Sequence, residues 1–94
     1  MEVKKRINHL RRLILIHSCI YYRMNTSVVD DFTFNEWSEE LVKLQNENES
    51  ILSECIYSNA FEDFDGTTGY DLPLDDNWIE ARSMYILALH EKYK

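Results

Sequence analysis

Helix-breaking residues are almost absent from this chain. Its 94 residues include two glycines and one proline, and all three lie between Gly66 and Pro73. Glycine and proline are the strongest local punctuators, so the sequence is interrupted once and is free to be helical on either side. Cysteine is also scarce. Cys19 and Cys55 share no metal-ligand spacing, which argues against a disulfide framework or a zinc site and fits two buried free thiols in a reducing cytosol. Long apolar runs are missing too. The longest, Leu13 to Tyr22, is broken by His17 and reaches about half the length of a membrane span. No signal-peptide pattern is evident, so the expectation is a cytoplasmic protein with no membrane partner.

Basic residues are few and confined. Lys4, Lys5, Arg6, Arg11, Arg12 and Arg23 face Glu2 alone in residues 1–23, whereas residues 30–80 hold fifteen acids against Lys43. With a net charge of −7, the body of the domain would repel phosphates, and no direct duplex DNA binding is expected. The basic first helix is read mainly as the complement of its acidic neighbours. What the chain does have is apolar and aromatic content, 45% and 13%, enough for a globular core in a single domain spanning residues 1–94.

Helical periodicity organises that content. From Val3 to Met24, Ile7, Leu10, Leu13, Ile14, His17, Ile20 and Tyr21 recur at three- and four-residue steps, predicting one long central helix. Asn25-Thr26-Ser27 ends it and Val28-Val29 cross to the next element. A second helix is predicted from an Asp31 or Thr33 cap, with Phe34, Trp37, Leu41 and Leu44 on its inner face. Gln45 to Glu49 reads as a polar connection, and Ser50 to Phe61 as a third helix with Ile51, Leu52, Cys55, Ile56 and Tyr57 inward. A last helix follows an Asp75 or Asp76 cap and runs through Trp78, Ile79, Met84, Tyr85 and Leu89 to a basic end. The expected fold is all-α: about four helices, with one ordered Gly/Pro loop at residues 62–75 before the last.

Two places invite a functional reading. His17 and Tyr21 lie four apart on one side of the first helix, and a short turn brings Asp31, Phe34 and Asn35 beside them and Tyr22. Aromatic rings with a carboxylate and an amide suit a planar base, ribose or nicotinamide. The competing reading is ordinary core packing, which explains most aromatic stripes at this spacing. His17 itself is read as a hydrogen-bonded interior histidine, and His9 and His90 as solvated. The second place is the loop Asp63-Phe-Asp-Gly-Thr-Thr-Gly-Tyr-Asp-Leu-Pro73. A calcium loop fails on register, because Gly66 at the sixth position puts Phe61 first and Leu72 twelfth. No metal site is assigned. Phe64, Tyr70 and Leu72 are expected to plug the loop onto the helices, with a partner-binding epitope as the alternative.

The segment from Leu10 to Tyr22, with Ser27 to Asn35 and Glu40-Leu41, resembles the N-terminal helical domain of NAD-dependent DNA ligases over about 35 residues. In that family the domain binds the nicotinamide mononucleotide half of NAD and presents it to a lysine in a separate nucleotidyltransferase domain. The resemblance places Tyr21 on the family's first tyrosine, Tyr22 on its second aromatic or histidine, and Asp31 on its first aspartate. Phe34 stands where the family has tyrosine, and Asn35 where it has a second aspartate, so one hydroxyl and one carboxylate are gone. No Lys-x-Asp-Gly nucleophile occurs. Residues 1–45 form the ligase-like helix pair and 46–94 depart from it. The whole chain is similar to small ligase-related proteins of phages and prophages, in which a Phe-x-x-Phe/Trp-Asp-Gly-x-Thr-Gly-Phe/Tyr-x-Leu-Pro block follows. The resemblance implies a non-catalytic accessory domain that binds NAD, nicotinamide mononucleotide or an adenine nucleotide weakly and uses no resident cofactor. The alternative is an acidic phage-encoded factor that engages a host replication, repair or defence protein.

Overall fold

The three- and four-residue apolar rhythm of the first 23 positions closes into one α-helix, α1 (Glu2–Arg23), in the computed structural model. The structure describes residues 2–62, 64 and 72–93. Asn25 ends α1 in a left-handed conformation, φ 54°, which a short polar side chain tolerates better than most. The chain then reverses into α2 (Asp31–Glu47). Its cap is Asp30, one residue before the expected Asp31 and three before the alternative Thr33. The Asp30 carboxylate accepts the Thr33 N–H at 2.8 Å and takes the position that fixes the first turn.

The third element departs from expectation. Instead of an α-helix from Ser50 to Phe61, a single 3-10 helix spans Glu49–Glu54, and turns follow to residue 62. The cause lies in α1. Asn8 Oδ1 accepts the Ile56 N–H at 2.9 Å, and the Ile56 carbonyl accepts from Arg11 Nη1 at 2.9 Å. Both backbone groups that a helix would use at Ile56 are thereby committed to another element. Cys55 is extended and Tyr57 has a φ of 55°, which breaks the helical path on both sides of Ile56.

The last helix, α3 (Asn77–Lys92), begins at an Asp76 cap, the second of the two expected caps. The Asp76 carboxylate accepts from the N–H groups of Trp78 and Ile79, at 2.9 and 3.2 Å, and from the Tyr57 hydroxyl at 3.2 Å. That one side chain therefore joins the start of α3 to the turn after the 3-10 helix. The fold is all-α, with no strand among the described residues.

One apolar cluster holds the elements together. Ile7, Leu10, Ile14, Leu15 and Cys19 of α1 meet Leu41 of α2, Ile79 of α3, and Cys55, Phe61, Leu72 and Leu74 from between them. α1 packs on both α2 and α3. Arg6 clamps α2 with a bidentate pair to Glu40, at 2.6 and 2.8 Å, and Ser83 of α3 donates to the Ile16 carbonyl at 3.2 Å. Cys19 and Cys55 are buried free thiols, as expected. Of the loop, Phe64 and Leu72 dock on the domain's own core, Phe64 edge-on to Phe61 with centroids 5.2 Å apart. Tyr70, both glycines, Asp63 and Asp65 lie outside the described residues. Among the described residues, no helix is long and apolar enough to cross a membrane.

Candidate functional site

α1 delivers His17 and Tyr21 to one face because they are one helical turn apart, and Tyr22 follows at its edge. The short crossing Ser27-Val28-Val29 returns the chain so that the first turn of α2 stands opposite, with Asp31, Phe34 and Asn35. Between them is a cavity of about 280 Å³. All six residues singled out in the sequence line it: His17, Tyr21, Tyr22, Asp31, Phe34 and Asn35.

The aromatic groups do not fill the cavity with one another. Tyr21 is 55% exposed and Tyr22 36%, their rings meeting edge to face at 4.8 Å, and Phe34 is half-buried with its apolar side on the core. Core packing therefore accounts for Phe34 in part and for Tyr21 hardly at all.

His17 forms the inner wall, its ring 5.2 Å from that of Trp37 at an interplanar angle of 44°. The expected interior hydrogen bond is missing at Nδ1, which is shielded from solvent and has no partner among the described residues. Burial pushes the imidazole below its ordinary pKa, so the ring is neutral at pH 7 and Nδ1 or Nε2 can accept. Ser18, fully buried, also lines the cavity, and its Oγ likewise has no partner among the described residues. Both atoms lie beneath the cavity surface, where a group the size of a water molecule does not reach them.

Charge in the lining comes from Asp31 alone, exposed at the start of α2. Its neighbour Asp30 is bound to Thr33, whose hydroxyl and N–H hold the Asp30 carboxyl below the usual carboxylate range. Asn35, one turn further along the same helix, adds a neutral amide. A second, shallow hollow on the outer side of Tyr21 and Tyr22 is floored by Asn25, Thr26 and Ser27. The tyrosine pair thus stands between an inner cavity and an open polar shelf.

Sequence reasoning did not assign four lining residues to the site: Ser18, Ser27, Val28 and Val29. The valines carried a signal, being the one apolar pair in an otherwise polar crossing. Ser18 carried none, since a serine amid apolar helix residues reads as neutral. Among the described residues, no cluster of three or more His, Cys, Asp or Glu side chains could hold a metal ion.

Fold and site together define a small all-α domain with an aromatic-walled cavity at a helix–helix junction. The chain matches no protein-family model, no curated protein and no solved structure.

Proposed function

We propose that the chain is a non-catalytic, DNA ligase-related accessory domain whose α1–α2 cavity takes the planar base of a nicotinamide or adenine nucleotide, and takes it weakly. The observation that carries this reading is that the five positions set against the ligase pattern, Tyr21, Tyr22, Asp31, Phe34 and Asn35, line one cavity together with His17. Its volume, about 280 Å³, lies at the small end of ligand sites and suits one ring system rather than a dinucleotide. Exposed tyrosine faces offer stacking, and Asp31 and Asn35 offer polar partners at the rim.

Weak affinity follows from what the lining lacks. Phe34 has no hydroxyl to donate and Asn35 no carboxylate, which leaves Asp31, screened by solvent, as the one anion facing a cationic pyridinium. Titration with nicotinamide mononucleotide, followed by calorimetry and by tyrosine resonances, should give weak binding. Phe34→Tyr with Asn35→Asp should strengthen it, and Tyr21→Ala should abolish it. Sub-micromolar binding by the unmodified chain, or no gain in the double variant, would count against the reading.

A second reading is favoured by the outer face of α2, where Glu36, Glu39 and Glu47 are exposed on a chain of net charge −7. In this reading a phage-encoded protein in the host cytoplasm presents these acids to a basic surface of a host replication, repair or defence protein. Glu36→Lys with Glu39→Lys should then abolish capture of that protein from host extract and leave nucleotide titrations unchanged.

A further inference from the structure

α3 turns its back on the molecule with a face that none of the described residues covers. Ile79 and Ser83 point into the core, and on the far side Trp78 is 45% and Tyr85 47% exposed. Ala81 is exposed between them, Ala88 is exposed beyond Tyr85, and Lys92 continues the same line. Trp78, Ala81, Tyr85, Ala88 and Lys92 recur at alternating three- and four-residue steps, the a and d positions of a two-helix seam. Met84, 59% exposed, borders the line. Exposed residues of this size, in register along a 16-residue helix, differ from the scattered apolar side chains of an ordinary surface.

We infer that this face pairs with the same face of a second copy of the chain, with the two α3 helices antiparallel. Size and charge select that occupant. In an antiparallel seam each a residue faces a d residue of the other helix. Here both a residues within the apolar stretch, Trp78 and Tyr85, are large, and both d residues, Ala81 and Ala88, are small. One register places Trp78 over Ala88 of the second copy and Tyr85 over Ala81 of the second copy, and two-fold symmetry repeats both pairings. A parallel pair would stack ring on ring and leave the alanines facing a gap.

Charge points to the same register. Exposed Asp75 precedes α3 and Glu80 lies in its first turn, whereas Lys92 lies in its last. Antiparallel pairing brings Lys92 beside Asp75 of the second copy and sets the two helix dipoles head to tail. Glu91 falls near Asn77 of the second copy, whose amide can donate to it. Parallel pairing would set Asp75 against Asp75. Arg82, over the Tyr85 ring at 5.0 Å from its centroid, closes the rim of the seam. A single helix pair is a small interface, so exchange with monomer on the order of 100 µM is expected rather than a permanent dimer.

Sedimentation equilibrium of the full chain, from micromolar to about 1 mM, tests this. The expected result is a reversible monomer–dimer equilibrium. Tyr85→Glu should weaken it at least tenfold and leave the helical circular dichroism unchanged. Lys92→Glu should also weaken it, and adding Asp75→Lys should restore it, a rescue that does not depend on Tyr85→Glu folding. Orientation is read from single-cysteine variants under mild oxidation. Met84→Cys, next to the two-fold axis, should cross-link, and Asn77→Cys, far from it, should not. A chain monomeric throughout, a dimer indifferent to both Tyr85→Glu and Lys92→Glu, or efficient Asn77→Cys cross-linking would overturn the inference.

Discussion

Arg11 is a fully buried cation. Its guanidinium donates to Gln45 Oε1 at 2.9 and 2.7 Å and to the Ile56 carbonyl at 2.9 Å, and lies 5.2 Å from the centroid of the Phe61 ring. Among the described residues no carboxylate pairs with it. Burial lowers its pKa, with the neighbouring Cys55 sulfur opposing, but an arginine stays charged throughout the working range. Arg11→Ala strands a buried acceptor at Gln45 and a part-buried one at Ile56, and should cost roughly 2–5 kcal/mol in urea unfolding. Arg11→Met combined with Gln45→Leu removes one of those acceptors and refills the volume, so much of the loss should return. If the double variant is no more stable than Arg11→Ala, the acceptors are not what the arginine serves. His17 titrates in the other regime. Its pKa is lowered by burial, so the unfolded chain binds the proton more readily and stability falls as pH drops below about 6.5. His17→Gln should flatten the melting temperature between about pH 7 and pH 5, above the range where most carboxylates titrate.

At the scale of elements, capping by Asp76 does more than start α3. The same carboxylate bonds two helix N–H groups and the Tyr57 hydroxyl; burial, and after it the Asp76 charge and hydrogen bond, hold that phenol above its ordinary pKa. Asp76→Ala should therefore lower stability by roughly 1–2 kcal/mol, and Asp76→Asn by less, because the amide oxygen still caps. Thermal melts of the two variants separate the cap from the charge. α1, α2 and α3 were legible in the sequence because each carries a periodic inner face and a polar or acidic start. The segment after α2 was not. Its apolar spacing at Ile51, Leu52, Cys55 and Ile56 fits a helix, and only the side chains of Asn8 and Arg11, over forty positions away, take the Ile56 backbone out of one. The six site residues were legible through a local pattern, whereas the deep Ser18 was visible only once α1 and α2 met. The inner face of α3 was ambiguous for a different reason: apolar residues occupy nearly every side, and periodicity does not say which side faces the core.

On the scale of the whole molecule, the proposed accessory role predicts recognition without chemistry. The nucleophile motif of the ligases is missing from the sequence, so incubation with NAD or ATP should leave the intact mass unchanged and nicked DNA unsealed. A covalent AMP adduct would refute that expectation. Phe61, buried and shared between Arg11 and Phe64, should be the costliest aromatic to truncate, at roughly 3–5 kcal/mol for Phe61→Ala. Phe64→Ala, half-buried, should cost less in the same melts.

The central place of α1 has a consequence for how the molecule opens. α2 and α3 each pack against α1, so either can detach while α1 stays bound to the other. Amide hydrogen exchange should then sort the helices, with the middle of α1 exchanging only on global unfolding and α3 through a smaller, earlier opening. The cavity between α1 and α2 would persist through that opening. A second copy bound to α3 would slow exchange in that helix first, giving it a stability that depends on concentration.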